Sequence, residues 1–586
     1  MNFVTEILKH KGTLDQRPII GYQNTNGDWE EETYEVLYQK IQKTSNALLN
    51  IGIEENENVA IFSQNMPQWT ITDLAIINIG AVTIPIYATN TADQAEYILN
   101  ETETRFLFVG DIEQYEKALE IFEKSSFLEK IIVFKDSVEL KSEESLYFLD
   151  FIKDQKIEFE TVSRNLDDLA TIIYTSGTTG VPKGVMLTHD AILHGFKIHT
   201  IRFDLNPEKE HSLCFLPLTH IFERAWTLFM LNSGIKVSFL ENPKTIAEQL
   251  KIVKPTAMCA VPRLYEKAYN TIKTKVENDA AIKQKIFNWA YKIGETYSNL
   301  KNNEKPIGRI LDFKYSLATK LVFSKIKEQF GGQLTFMPVG GAPISKEISS
   351  FFTNIGMPFV IGYGLTETTA TVSCFEYTNV THGTVGKLMP ETEVKIGLED
   401  EILVKGKTVM KGYYKKPIET AEVFTEDGWF KTGDVGMFDA KDNLVITDRI
   451  KNLMKTSNGK YIAPQPIEGL LMNDHLIEHA IIIGDCRSFV TALIVPNFEA
   501  LPELAESLSL SFENTEQFLK LDLVKEFFKN RIGISQANLA AFEKIKKFEL
   551  ITHDFTMESG ELTPTLKIKR KVVLEKYKNL IENMYC

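Results

Sequence analysis

Between Tyr34 and Val109 the chain alternates an amphipathic helical stretch, YEVLYQKIQKTSNALLNIG, with short β-rich runs, NVAIFSQ, VTIPIY and RFLFVG. The alternation returns in KVSFLE, AMCAVP and PFVIGYG. Apolar runs of strand length separated by segments of helical period are the pattern of buried parallel strands covered by helices, so the chain is predicted to be a layered α/β protein. Residues 264–330 depart from it with a long Lys-rich helical region, expected as an excursion packed on the main body. From THGTVGKL at Thr381 to DNLVITDR, ending at Arg449, short runs with glycine turns predict a small β-rich subdomain. Beyond Arg449 a compact α/β tail is expected, with HAIIIG and FVTALIVP as strands.

At 586 residues the chain exceeds one ordinary domain, and 44% hydrophobic with 25% charged residues is the balance of a soluble multi-domain protein. A net charge of −14 with dispersed basic residues argues against nucleic acid as a partner. Cys214, Cys259, Cys374, Cys486 and Cys586 are odd in number, far apart and without a C-x-x-C, which argues against a disulfide framework or zinc site and for a reducing cytoplasm. The N-terminus lacks an apolar signal region, and the longest apolar stretch, LAIINIGAVTIPIYA from Leu74, is broken by Asn78, Gly80 and Pro85. It is shorter than the ~20 residues a spanning helix needs. Peripheral contact with the inner face of a membrane stays open, as does the choice of monomer or homodimer.

The segment YTSGTTGVPKGVMLTH, Tyr174 to His189, places glycines, hydroxyl side chains and a lysine after the apolar run ATIIYTS. Glycines let the backbone approach an anion, N–H and O–H groups donate to phosphate oxygens, and lysine supplies counter-charge. The tract is not a Walker A loop, because Val181 and Pro182 separate Gly180 from Lys183. GYGLTE is not a dinucleotide fingerprint either, since Glu367 stands at the last glycine position.

TSGTTGVPKG resembles the signature of the adenylate-forming superfamily, which includes acyl-CoA synthetases, luciferase-like enzymes and the adenylation domains of peptide synthetases. GYGLTETTA, KTGDVG, TDRIKNLMKTSNGKYIAP and LTPTLKIKR look like the family's later motifs, in its order and spacing. The resemblance implies a large N-terminal AMP-binding domain over residues 1–448, its β-rich subdomain at 381–448, and a mobile C-terminal lid over 449–586. It implies activation of a carboxylate by attack on the α-phosphorus of ATP, giving an acyl-adenylate and pyrophosphate, then transfer of the acyl group to a thiol.

Carried over residue by residue, Thr175, Ser176, Gly177, Thr178, Thr179, Gly180 and Lys183 would hold the β- and γ-phosphates. Thr366 would donate to a phosphate, and Glu367 would ligate Mg²⁺, a hard cation that prefers oxygen. Gly340, Gly341, Ala342 and Pro343, with Tyr363 and Gly364, would form the adenine slot. Asp434 would accept the ribose hydroxyls and Arg449 would add a ribose or phosphate contact. Lys567 matches the late catalytic lysine that bridges the carboxylate and the α-phosphate, and Lys451 matches the hinge of lid rotation. Asn452 follows where the family often has an acid. Lys455 and Gly459 belong to the face that would admit the thiol.

FLPLTHIFERAW, Phe215 to Trp226, and the hinge segment KTSNGKYIAPQPIE resemble the long-chain fatty acyl-CoA synthetase forms of these motifs. They imply a long-chain fatty acid, with ATP and CoA as co-substrates, His220 beside the acyl group and Trp226 as a gate. For both, and for Arg224, a packing or ion-pair role in the core is the competing reading. Rival enzymes stop at the adenylate, use a carrier-protein thiol, or take medium-chain or aryl acids. A nucleotide-dependent binding protein without turnover and a membrane-surface module using the basic C-terminal run are the readings from other classes.

Overall fold

The computed structural model describes residues 2–175, 181–357, 359–376, 378–457, 460–556, 559–563 and 567–585. An eight-stranded sheet runs in the order Gly412–Tyr413, Lys183–Thr188, Leu169–Thr175, Val82–Tyr87, Asn58–Ser63, Phe106–Val109, Lys130–Val133, Ser145–Tyr147. From Leu169–Thr175 to Ser145–Tyr147 the neighbours are parallel, whereas Lys183–Thr188 and Gly412–Tyr413 add antiparallel. Successive strand residues point to opposite faces. Accordingly Val59, Ile61, Phe106, Phe108 and Ile132 enter one apolar core, while Ala60, Phe62, Leu107, Val109, Ile131 and Val133 enter another. Burial on both faces is why these runs are apolar throughout instead of alternating.

Two four-stranded sheets extend the first core. One has the order His211–Cys214, Lys236–Phe239, Pro18–Gln23, Trp29–Thr33, and the other Met337–Val339, Phe359–Tyr363, Ser373–Cys374, Lys387–Leu388. AMCAVP, expected as a strand, forms only isolated bridges: Ala257 to Ser212 and Phe336, and Ala260 to Val339. Pro255 and Pro262 bracket it and Pro262 opens the helix Pro262–Glu277, so the segment stitches two sheets together without room for a ladder of its own.

The β-rich region forms an antiparallel sheet in the order Glu393–Ile396, Glu401–Lys405, Phe430–Phe438, Leu444–Arg449. Gly412–Tyr413 leaves it to pair with Lys183–Thr188 of the large sheet. The Lys-rich region is helical, with Pro262–Glu277, Ala281–Asn302 and Arg309–Ala318. After Arg449 come a small hairpin, Met454–Lys455 with Tyr461–Ile462, and a sheet of Ile477–Ile483, Val490–Pro496 and Ile545–Leu550. Among the described residues no helix is long and apolar enough to cross a membrane.

The helix Ile221–Asn232 is tied to the large sheet by a buried ion pair. Arg224 donates from Nε and Nη2 to both oxygens of Asp73, at 3.0 and 2.5 Å, and from Nη1 to the Thr171 hydroxyl at 2.6 Å. The Arg224 guanidinium also lies 5.6 Å from the centroid of Trp69. These contacts favour the ion-pair reading of Arg224. Removing one partner strands a buried charge, so Arg224→Met is expected to cost about 3–5 kcal/mol in urea unfolding followed by tryptophan fluorescence. Asp73→Leu combined with Arg224→Met is expected to recover most of that loss.

Candidate active site

Met337–Val339 and Phe359–Tyr363 are parallel neighbours, so the turns leaving their C-terminal ends open side by side, the place where ligands sit on such sheets. Gly340–Pro343 is one turn, with Gly341 at φ +83°. The other runs through Gly364, where a Cβ would lie 1.8 Å from the Ala370 carbonyl oxygen, so only glycine fits. Thr369 at φ 51° and Ala370 at φ 80° hold left-handed conformations rare for side-chain-bearing residues. The Leu365 N–H donates to Thr368 Oγ1 at 2.9 Å, and the Thr369 hydroxyl donates to the Thr408 carbonyl at 2.7 Å. Thr366 and Glu367 lie in the short 3-10 turn Thr366–Thr368 that these bonds secure.

Asp434 and Arg449 face each other across antiparallel strands. The Tyr363 hydroxyl donates to Asp434 Oδ2 at 2.7 Å and Arg449 Nε to Oδ1 at 2.8 Å. Burial, then the Asp434 charge, pushes the Tyr363 pKa well up, so it stays a donor. Burial works against the Arg449 cation, but Asp434, Tyr363 and Glu367 outweigh it and hold its pKa above the ordinary value. The Glu367 pKa is raised as well, in its case by burial, opposed by its own N–H and by the Tyr413 hydroxyl, which donates to Oε1 at 3.0 Å. The Lys183 ammonium lies 5.0 Å from the Tyr413 ring centroid, and Lys183 pairs with Thr175 at the end of the hairpin. Ser176, Gly177, Thr178, Thr179 and Gly180 lie outside the described residues.

His220 caps the helix Ile221–Asn232. Its Nδ1 accepts from the Phe222 N–H at 3.2 Å, which leaves the ring proton of the neutral imidazole on Nε2. Burial and then the Lys567 charge push its pKa down to about 3. The loop before it is clamped from both sides: Asn65 accepts from Leu218 N–H at 3.0 Å and donates to the Leu216 carbonyl at 2.7 Å, while Glu223 accepts from Leu216 N–H at 3.0 Å. Glu223 is fully buried, and burial pushes its pKa up to about 8.

Lys567 comes from the tail. Leu562 bridges Ile568, the Thr563 N–H donates to the Lys567 carbonyl at 2.8 Å, and the Lys567 N–H donates to Thr563 Oγ1 at 3.0 Å. Burial and Arg449 lower the Lys567 pKa against the pull of Asp434 and Glu367. Lys567 and Arg449, the latter 46% exposed in its side chain, keep solvent access although protein surrounds both. Lys567 lies near enough to Arg449, Asp434, Glu367 and His220 for their charges to act on one another.

Other expected residues lie elsewhere. Trp226 is buried, donates to Ser212 Oγ at 2.9 Å and stacks on Phe336 at 5.6 Å, as a core residue does. Lys451 occupies the 3-10 turn Ile450–Asn452 between Arg449 and the small hairpin. Lys455 is exposed, with its ammonium 5.4 Å from the Tyr461 ring centroid, and Gly459 lies outside the described residues. Tyr413 was not anticipated: no local motif marks it, and only the pairing of Gly412–Tyr413 with Lys183–Thr188 brings it to Glu367. The clamp made by Glu223 was equally hidden, although Phe-Glu-Arg is visible as a sequence motif.

The fold is that of the adenylate-forming enzymes. The structure matches the adenylation domain of a carboxylate reductase from Mycobacterium chelonae with a TM-score of 0.79 at 22% identity, over 99% of this chain and 90% of that one. It matches an anthranilate CoA ligase bound to anthranoyl-AMP with a TM-score of 0.76 at 17% identity, over 99% and 98%. The chain belongs to the AMP-binding enzyme family, whose model covers residues 11–414, with the AMP-binding enzyme C-terminal domain over 451–586. Among its relatives are the long-chain-fatty-acid–CoA ligase FadD15 of Mycobacterium bovis, 33% identical over 100% of this chain and 97% of that protein, and long-chain-fatty-acid–CoA ligase 5 of Rattus norvegicus, 31% identical over 97% and 86%.

The tail is docked on the helix Pro262–Glu277 by an ion pair between Arg263 and Glu478, and by Asn278 donating to Glu503 at 3.4 Å. Reversing the charge with Arg263→Glu sets it against Glu478 and Glu266. A shift of one to two kcal/mol in docking is about a 5–30-fold change in the undocked population. Trypsin is therefore expected to nick the segment around Lys451 and Lys455 several-fold faster in this variant, followed by gel densitometry.

Proposed function

We infer that this chain activates a long-chain fatty acid with ATP, releasing pyrophosphate, and passes the acyl group from the adenylate to CoA, giving acyl-CoA and AMP. Likeness to long-chain-fatty-acid–CoA ligases along the whole chain supports the substrate class. The observation that carries the mechanism is that Lys567 lies within electrostatic reach of Arg449, Asp434, Glu367 and His220. Attack of a carboxylate on a phosphate brings two anions together, so a site for it must place fixed cations where charge gathers.

In this reading Lys567 bridges the carboxylate oxygen and the α-phosphate. The neutral His220 points an Nε2–H donor toward the acyl carboxyl without adding a charge. Asp434 takes the ribose hydroxyls on the lone pairs that Tyr363 and Arg449 leave free, a carboxylate having about four acceptor sites. Gly340–Pro343 and Tyr363 accept the adenine, with Gly364 leaving room beside it. Thr175, Lys183 and Thr366 face the phosphates, together with Ser176 to Gly180.

Glu367 suits Mg²⁺, because its carboxylate keeps lone pairs beyond those engaged by Tyr413 and its own N–H. Among the described residues no three His, Cys, Asp or Glu side chains form a metal cage, and Mg²⁺ needs only one or two carboxylates when phosphates share it. Bound there, the ion would neutralise phosphate charge. The turn at Lys451 would let the tail, and Lys567 with it, rotate away so that Lys455 and Gly459 meet the CoA thiol. The reaction is assigned to the cytoplasm.

The test is pyrophosphate release with acids of graded length, with acyl-CoA followed by mass spectrometry. Each methylene is expected to raise kcat/KM about fourfold, from ~0.8 kcal/mol per buried CH₂, until the pocket is full. Pyrophosphate without acyl-CoA would move the acceptor to a carrier protein. Lys567→Ala is expected to slow adenylate formation by about 10² while sparing conversion of supplied adenylate to thioester. Since the Lys567 pKa is lowered, its charge is lost as pH rises through a value below that of a free lysine. kcat/KM should fall there, and Lys567→Arg, which stays protonated, should lose that alkaline limb.

A further inference from the structure

The helix Arg309–Ala318, with the π turn Thr319–Phe323 and Ser324–Lys327 that continue it, presents two unlike faces. Ala318, Phe323 and Ile326 are buried, and Tyr315 stacks on Tyr297 at 3.8 Å. On the outer face stand Ile310, 75% exposed, Phe313, 70%, Leu317, 38%, and Leu321, 45%. Their spacing of three, four and four residues lines them up in one row along the helix. Single exposed apolar residues are ordinary, but a row of four on one helix is an interaction surface.

Charge identifies what it meets. Residues 309–327 carry five cations, Arg309, Lys314, Lys320, Lys325 and Lys327, against one acid, Asp312, in a chain of net charge −14. Asp312 is occupied by the Tyr297 hydroxyl. On a helical projection of ~100° per residue, Lys314 flanks the apolar row on one side and Arg309 and Lys320 on the other. Within the described residues no ion pair engages Arg309, Lys314, Lys320 or Lys325. An apolar ridge with a basic rim matches an anionic lipid surface, where the ridge enters the acyl boundary and the rim meets the headgroups. A two-fold contact between copies would set this cationic face against itself.

The C-terminal basic run, the other candidate in the sequence, is partly engaged within the protein. Lys567 interacts with the charges of Arg449, Asp434 and Glu367, Arg570 pairs with Glu468 and donates to the Ile482 carbonyl at 2.8 Å, and Lys576 pairs with Glu561.

We propose that the outer face of residues 309–327 is a peripheral docking surface for anionic bilayers, with Ile310, Phe313, Leu317 and Leu321 inserting and Arg309, Lys314 and Lys320 contacting lipid headgroups. The surface shares no residue with the proposed active site, and its test needs no turnover. The full-length protein, without ATP or acid, is sedimented with phosphatidylcholine vesicles that contain or lack phosphatidylglycerol.

Binding to the anionic vesicles is expected to be tighter by about tenfold or more and to weaken as salt is raised. Phe313→Ser with Leu317→Ser, and separately Lys314→Glu with Lys320→Glu, should each reduce it by about tenfold or more. Pyrophosphate release with a short, water-soluble acid should stay within about twofold, which also shows that the exposed substitutions leave the fold intact. Unchanged vesicle binding in both variants overturns the proposal, as does equal binding to neutral and anionic vesicles. Concentration-dependent self-association that Phe313→Ser with Leu317→Ser abolishes, without vesicle binding, overturns it in favour of a contact between copies.

Discussion

Arg224 and Asp73 meet where three elements cross. The guanidinium on the helix Ile221–Asn232 reaches the carboxylate on Pro67–Asn78 and the hydroxyl of Thr171 on Leu169–Thr175, and Thr171 passes the contact on to the Thr83 carbonyl at 2.7 Å. The helix begins at its cap His220 and the strand ends in Thr175, where the glycine-rich tract follows. One buried polar network therefore fixes the two elements that carry the proposed acyl-side and phosphate-side groups. Geometry of this kind is costly to desolvate and rigid once complete, since each member satisfies the others.

The proposed site draws on separate sheets. Tyr363 comes from one, Asp434 and Arg449 from the β-rich one, Lys183 and Tyr413 from the large one, and Lys567 from the tail. Its anions are held in place by neighbours before any substrate arrives: Asp434 by Tyr363 and Arg449, Glu367 by Tyr413. Dipoles and charges fixed in advance need no reorganisation when charge builds up, which is the physical advantage of a site built this way.

Much of this was legible in the chain. The runs NVAIFSQ, VTIPIY and RFLFVG became central strands because uninterrupted apolar runs can be buried on two faces, and the helical period of YEVLYQKIQKTSNALLN gave the helix Tyr34–Asn50. AMCAVP has the same composition but sits between prolines and two sheets, a tertiary circumstance no local window contains. Site residues were visible where they belong to a dense motif. Tyr413 was not, because its place depends on a strand of two residues pairing with a partner more than two hundred positions earlier. Trp226 illustrates a different limit: an apolar side chain that lines a tunnel and one that fills a core look alike in sequence, and here it stacks on Phe336.

Lys567 is carried by a hydrophobic core of the tail. Leu562 and Ile568, which flank it, pack with Ile481, Leu493, Val495, Ile551 and Phe555, and neither this core nor the one formed by Met454, Ile467 and Phe528 includes a residue before Met454. The residues flanking His220 belong to other cores, Leu218 and Phe222 to one and Ile221 to a second. A substitution near His220 therefore alters no residue of the core that supports the backbone of Lys567. The acyl-side wall proposed around His220 and the arm that bears Lys567 can thus be engineered as separate modules.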